Sequence, residues 1–185
     1  NFYRGSSDDV LDRFYHVAKQ SGADVIIRIT GDCPLMDCGT LDKVINTFKS
    51  GNFDYVCNAQ PPSFPDGLDV EIFSFSALDR AWREAKLKSE REHVTPYIWK
   101  NTELFKITNV LCETDLSFHR WTLDTPEDFE FIKKIIEFAV EKNMEISLPS
   151  ILEILRANPD WLKINSQSER NEGYAKSLKQ DAAKP

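Results

Sequence analysis

Apolar residues along the chain switch between two spacings. Val10, Leu11, Phe14, Tyr15, Val17 and Ala18 recur every three or four positions, which predicts a helix with one apolar face ending near Gly22. Ser6-Ser7-Asp8-Asp9 precedes it, with hydroxyls to cap the first amides and acids to meet the helix dipole. Ala23-Asp24-Val25-Ile26-Ile27-Arg28-Ile29 reads instead as a strand. Leu41, Val44, Ile45 and Phe48 mark a helix from about Gly39 to Ser50, which Gly51 ends. Phe53-Asp54-Tyr55-Val56-Cys57 is a short buried-strand candidate, followed by a loop of breakers from Ala59 to Gly67. Leu68 to Phe75 alternates partly as a strand, and Ser76 opens a helix to about Lys86. Ser89-Glu90-Arg91-Glu92 reads as a capping box that starts a helix holding His93, Tyr97, Ile98 and Trp99. Phe105–Leu111 and Trp121–Leu123 read as strands. Thr125 as cap and Pro126 at the first helical position launch a helix to about Lys142. Leu148–Ala157 is another helix, and a polar helical tail begins near Arg170.

Alternating strands and helices predict an α/β fold, a mainly parallel sheet with helices on both faces. The Leu68–Phe75 and Phe105–Leu111 runs are expected to be able to pair antiparallel, which makes the sheet mixed. With no repeat, low-complexity segment or interdomain linker, residues 1–185 are expected to form one domain with a helical tail over about 147–185.

Charge narrows the function. Lys and Arg number 23 against 30 Asp and Glu, a net charge of −7, so the chain lacks the basic footprint of a nucleic-acid binder. An anionic substrate must then be held by local cations, a metal or backbone amides. No apolar run approaches the ~18 residues of a membrane span. Cys33, Cys38, Cys57 and Cys112 form no Cys-x-x-Cys pair and have no His at zinc-finger spacing, so reduced thiols and a cytoplasmic location are expected. The opening Asn1-Phe2-Tyr3-Arg4 has neither an initiator Met nor a signal-peptide pattern, so the protein is expected to begin upstream.

Two aspartates carry the sharpest chemistry. Asp32 follows the first strand in the turn Thr30-Gly31-Asp32-Cys33-Pro34, and Asp124 follows Trp121-Thr122-Leu123 just before a helix start. Ligands collect at the carboxyl ends of strands in open α/β sheets, so both acids are candidates for one magnesium ion. Turn shaping and helix capping explain the same residues without a metal. The helix start beyond Asp124 also offers amides to an anion. Arg91 and His93 are candidates to meet a substrate carboxylate, against a solvated turn and a core-facing histidine. Asp66, Asp69 and Glu71, with Asp69 and Glu71 on one strand face, are candidates to hold sugar hydroxyls if they line a cleft, and plain surface charge if that face is outer. Arg120 can approach phosphates or carboxylates, or pair with nearby acids.

These segments together resemble the cytidylyltransferase family that includes the CMP-KDO synthetases, most closely its spore-coat polysaccharide biosynthesis protein F branch. The resembling stretches run from Gly5-Ser6-Ser7-Asp8-Asp9-Val10-Leu11-Asp12-Arg13 through Arg28-Ile29-Thr30-Gly31-Asp32-Cys33-Pro34-Leu35-Met36-Asp37 and Phe64-Pro65-Asp66-Gly67-Leu68-Asp69-Val70-Glu71. They continue through Ser89-Glu90-Arg91-Glu92-His93-Val94-Thr95-Pro96-Tyr97, Arg120-Trp121-Thr122-Leu123-Asp124-Thr125-Pro126-Glu127-Asp128-Phe129 and Arg170-Asn171-Glu172-Gly173-Tyr174. The resemblance implies a nucleotide-diphospho-sugar transferase fold, a Rossmann-like α/β/α sandwich. It implies transfer of CMP from CTP to a sugar or sugar acid with release of pyrophosphate, for surface polysaccharide or glycan biosynthesis. Asp32 and Asp124 match the family's metal aspartates. Asp66, Asp69, Glu71, Arg91, His93 and Arg120 fall on its substrate side. Oligomeric state stays open, although relatives of this kind commonly pair as homodimers.

The chain departs from the family at its start. Members open with a strand and a loop reading roughly Ser-x-Arg-Leu-Pro-Gly-Lys that serves the triphosphate, and nothing like it occurs here. The expectation is a C-terminal part of a longer enzyme, with an open sheet edge and poor CTP binding as it stands. The rival expectations are a non-catalytic sugar- or partner-binding module of the same fold and a metal-dependent glycosyltransferase.

Overall fold

The first helix starts where the acid and hydroxyl run suggests, but an acid and not a hydroxyl caps it: the Asp9 carboxylate accepts from the Asp12 amide at 2.9 Å. That helix, α1 (Val10–Ser21), ends where Gly22 turns left-handed at φ +63°. In the computed structural model, which describes residues 2–168 and 170–183, it is followed by β1 (Val25–Arg28), α2 (Cys38–Ser50) and β2 (Tyr55–Cys57). Then come β3 (Glu71–Ser74), α3 (Phe75–Glu84), α4 (Lys88–His93), α5 (Pro96–Lys100) and β4 (Ile107–Asn109). The chain finishes with α6 (Pro126–Glu141), α7 (Leu148–Ala157), a 3-10 turn (Pro159–Lys163) and α8 (Glu172–Ala182). Asn1, Glu169, Lys184 and Pro185, which the sequence reading takes into its opening segment and tail, lie outside the described residues.

The sheet order is β1-β3-β2-β4. β3 runs antiparallel to both neighbours, with Ile26 opposite Phe73 and Val56 opposite Ile72, while β4 is parallel to β2. Three strands therefore share one direction and β3 opposes them, an open mixed sheet of an α/β fold. Alternate side chains feed opposite faces. Tyr55 and Phe73 pack with Leu11, Leu78 and Ile98 under α1, α3 and α5. Val56 and Ile72 pack with Val44 of α2 on the other face. A third cluster of Leu35, Phe64, Trp121, Phe131, Ile135 and Ile151 joins α6 and α7 to the loops at the sheet's end. β1 is an edge strand of this sheet, and Val25 and Ile27 on it are exposed.

Several expectations are corrected. The Leu68–Phe75 run forms a strand only from Glu71, and it pairs with β1 and β2 rather than with the Phe105–Leu111 run, which lies across β2 as β4. Trp121–Leu123 is no strand; the stretch is held to Asp66 through one parallel bridge at Arg120 and a 2.6 Å bond from the Trp121 amide to the Asp66 carbonyl. Ser89 does not cap a helix. α4 starts one residue earlier, after Leu87; the Glu90 carboxylate accepts from the Lys86 and Leu87 amides just before it, and the Ser89 amide donates to Asp181 on α8. The single helix expected to carry His93 through Trp99 is broken in two. Pro96 lacks an amide proton and disfavours helix in the residue before it, and Val94 turns to φ +71° at the break. The Thr125 cap does form: its hydroxyl accepts from the Asp128 amide and Asp128 accepts from the Thr125 amide. Among the described residues no helix is long and apolar enough to cross a membrane.

Candidate active site

The sheet direction brings the carboxyl ends of β1 and β2 and the start of β3 to one end of the molecule, where α/β sheets place ligands. Arg28 is the last residue of β1 and Glu71 the first of β3, and they form an ion pair there. A cleft of about 320 Å3 opens beside them. Asp32 and Asp124 both line it, as do Asp66, Asp69 and Glu71, together with His93 and Arg120.

Asp32 and Asp124 belong to segments joined by backbone. The Asp32 carbonyl accepts from the Leu123 amide at 2.9 Å and from the Thr122 hydroxyl at 3.2 Å. Among the described residues the Asp32 carboxylate meets only the Cys33 thiol, at 3.5 Å, and burial pushes that thiol up to about 12, so it stays protonated. Asp124 is half exposed and gives one oxygen to Arg120 at 2.9 Å. The charges of Asp124 and Asp32 both reach Asp66, whose carboxyl is raised above the ordinary range by burial first, against Arg170 and Arg120. No cluster of three or more metal-ligating side chains occurs among the described residues. Two carboxylates on one cleft are the donor type that magnesium takes, with water and phosphate completing its shell.

Arg120 organises the acids around it. Its Nε and Nη2 donate to Asp128 at 2.9 and 2.8 Å, Nη2 also to Asp124, and Nη1 to Asp66 at 3.3 Å. Burial opposes its charge, yet the Asp128 bonds outweigh that and raise its pKa. Asp128 is fully buried, and burial would raise it, but Arg120, Asn165 and the Asp124 amide hold it down at about 2. Asp128 thereby occupies the Asp124 and Thr125 amides at 3.1 and 3.0 Å. The helix start does not offer those amides to an external anion.

On the opposite side, Glu71 accepts from the Tyr55 hydroxyl at 2.6 Å, from Thr95 and from Arg28, which leaves it little capacity for sugar hydroxyls. Asp69 is paired with Arg170, whose Nη1 also donates to the Phe64 carbonyl at 3.0 Å. Burial nevertheless lifts the Asp69 carboxyl to about 6. His93 meets Ser177 on α8 at 3.1 Å, its ring lies edge-on to Tyr174, and burial lowers its pKa.

Arg91 is not part of the cleft. Asp9 takes its Nε and Nη2 in a fork, and the Trp82 carbonyl takes Nη1 at 2.7 Å, which turns the guanidinium away. Its place on the cleft wall is filled by residues that sequence reasoning gave no role: Arg28, Thr95, Trp99 and Tyr174. Arg28 stands two residues before the Thr30-Gly31-Asp32 turn, the one local signal that marks it. His119 is buried between Phe118 and Trp121 and lies outside the cleft. The four cysteines are unpaired, with Cys38 exposed.

Comparison with known proteins agrees on one family. The family model described as cytidylyltransferase matches residues 1–154. An uncharacterized protein of Methanocaldococcus jannaschii is 41% identical over 168 residues, 90% of this chain and 67% of that one. The spore coat polysaccharide biosynthesis protein SpsF of Bacillus subtilis is 34% identical over 165 residues, 85% of this chain and 65% of that one. The solved structure of a cytidylyltransferase from Leptospira borgpetersenii superposes with a TM-score of 0.79 at 36% identity, over 86% of this chain and 67% of that one. The chain thus spans about two thirds of the length of each relative.

Proposed function

Because this chain belongs to the cytidylyltransferase family, we propose that the protein it represents transfers CMP from CTP to a sugar or sugar acid and releases pyrophosphate. The observation that carries the reading is the Asp32–Leu123 backbone bond, which sets Asp32 and Asp124 on one cleft. Asp32 and Asp124 would hold magnesium, Asp124 through the oxygen that Arg120 leaves open. Bound there, the ion supplies charge neutralisation for the phosphates and the departing pyrophosphate.

The residues around the pair divide the remaining work. Arg120 keeps Asp66 and Asp124 in fixed positions at 3.3 and 2.9 Å. Asp66 and Asp69 present acceptor oxygens to sugar hydroxyls, one of which attacks the α-phosphorus and gives up its proton to solvent as the bond to pyrophosphate breaks. Tyr174 and Trp99, with ring centroids 5.9 Å apart, wall the acceptor side and exclude water. A surface-polysaccharide product is supported by the likeness to the Bacillus subtilis protein. A cytoplasmic location, where CTP is at hand, and a homodimeric assembly belong to the same reading.

The test supplies the full-length protein with CTP, magnesium and a panel of nonulosonic, octulosonic and neutral sugars, and follows pyrophosphate together with the mass of a CMP-sugar. Product with one sugar supports the reading. Tight CTP binding without pyrophosphate from any of them overturns it.

A further inference from the structure

A helix stays docked chiefly through the apolar side chains that it buries, and one held by polar bonds opens at lower cost. α6 buries Phe131, Ile132 and Ile135, and α7 buries Ile151, Ile154 and Leu155. The end of the chain differs. Among the described residues of 166–183, Ser177 is the one buried residue, and Leu178 of α8 is exposed.

This segment joins the two sides of the cleft. It leaves the α6 side at Asn165, whose side-chain amide donates to Asp128 at 2.8 Å and to the Arg120 carbonyl at 3.0 Å. Arg170 then pairs with Asp69 and donates to the Phe64 carbonyl at 3.0 Å. Asn171, Gly173 and Tyr174 line the cleft, and the Tyr174 ring stands edge-on to His93 and Trp99. α8 docks on α4 through polar groups. The Ser177 hydroxyl donates to Glu92 at 2.7 Å and meets His93 Nε2 at 3.1 Å, while Asp181 accepts from the Ser89 amide at 3.2 Å.

The dock is also incompletely bonded. Arg170 Nε, Tyr174 Oη, Ser89 Oγ and Asp181 Oδ2 are buried atoms with no hydrogen-bond partner among the described residues. Each has lost its water without regaining a bond, which weakens the docked state relative to an open one.

We propose that residues 170–183 are a strap that lifts from α4 as one unit, carries Tyr174 off the cleft wall, and closes again through the bonds of Arg170 and Ser177. The strap goes beyond the transferase reading and rests on it only in taking the cleft as the site that is covered. Substrate and product pass through the wall that it vacates, while the sheet and α6 stay in place.

Hydrogen exchange followed by mass spectrometry on the full-length protein reads the opening. In wild type the amides of α8 are expected to exchange at least about a hundredfold faster than those of α6. Arg170→Gln removes an ion pair outside the helix, and should speed residues 176–182 at least about tenfold more while leaving α6 unchanged. A thiol placed by Ser177→Cys gives a second readout. Iodoacetamide should alkylate it at least about tenfold faster than Cys57, which is buried in β2 and reports unfolding of the whole molecule. The proposal is overturned if α8 exchanges no faster than α6, if Arg170→Gln leaves residues 176–182 unchanged or speeds α6 equally, or if the Ser177→Cys thiol reacts only as fast as Cys57. None of these readouts uses turnover, so a protein that releases no pyrophosphate sinks the transferase reading and leaves the strap standing.

Discussion

The backbone amide of Leu123 donates to the carbonyl of Asp32 at 2.9 Å, across 91 positions of sequence. One bond thus fixes the turn after β1 against the segment that ends in Asp124. Two carboxylates that the sequence places on separate elements come to line one cleft.

The first prediction follows from that pairing. In the full-length enzyme, Asp32→Ala and Asp124→Ala should each lower magnesium-dependent pyrophosphate release by at least about a hundredfold, with the fold intact. Circular dichroism and a coupled pyrophosphate assay check this. Normal release from both variants would falsify the metal assignment.

Asp128 anchors the same region from below. Its carboxyl sits at about 2, below the ordinary 3.8, so its contribution is complete above pH ~4 and is lost as pH falls toward 2. Asp128→Asn should cost about 3 kcal/mol at neutral pH, since it leaves the largely buried Arg120 short of its main partner. Urea unfolding across pH should show the gap between wild type and variant narrowing from pH 4 to pH 2. A gap that stays constant would contradict the assignment.

Asp69 predicts the opposite sign. Its carboxyl is raised to about 6, so the folded state holds this proton more tightly than the unfolded chain, and stability from that proton is lost as pH rises from about 4 through 6. A carbon-13 titration of the aspartate carboxyls should show one group near pH 6 that vanishes in Asp69→Asn. In Arg170→Gln the same group should move higher still, because Arg170 is what restrains it. Ordinary midpoints for every aspartate would refute this.

Gly67 ties the Asp66 loop to the Trp121 segment. Its φ is +102°, and a Cβ there would stand 2.6 Å from the Trp121 carbonyl carbon and oxygen and 2.8 Å from the Thr122 nitrogen. Backbone cannot step aside as a side chain can. Gly67→Ala should therefore destabilise by at least about 3 kcal/mol and reduce turnover by displacing Asp124. A loss below about 1 kcal/mol in chemical denaturation would show that the contact is slack.

The sequence by itself determined what is local. Helix positions mostly followed from three-and-four spacing, the Thr125 cap from short-range hydrogen bonds, and the α/β class from the alternation of elements. Those signals lie within one or two turns of chain, and the local reading failed where a distant partner intervened, as Asp181 does at the Ser89 amide. The candidate acids were legible too, since Asp32, Asp66, Asp69 and Asp124 each sit beside a turn or breaker that the chain announces.

Tertiary structure decided which charges face the cleft and which are already spent. Arg91 stands in a polar cluster and looked available, yet Asp9, 82 positions earlier, takes it. Arg28, inside an apolar run, keeps most of its donors open among the described residues because Glu71, 43 positions later, uses only one. Partner choice between charged groups depends on distances that folding alone sets, and Coulomb energy and desolvation change steeply over those few ångströms. No local pattern encodes that choice, so the division between structural and available arginines appears only once the strands are paired.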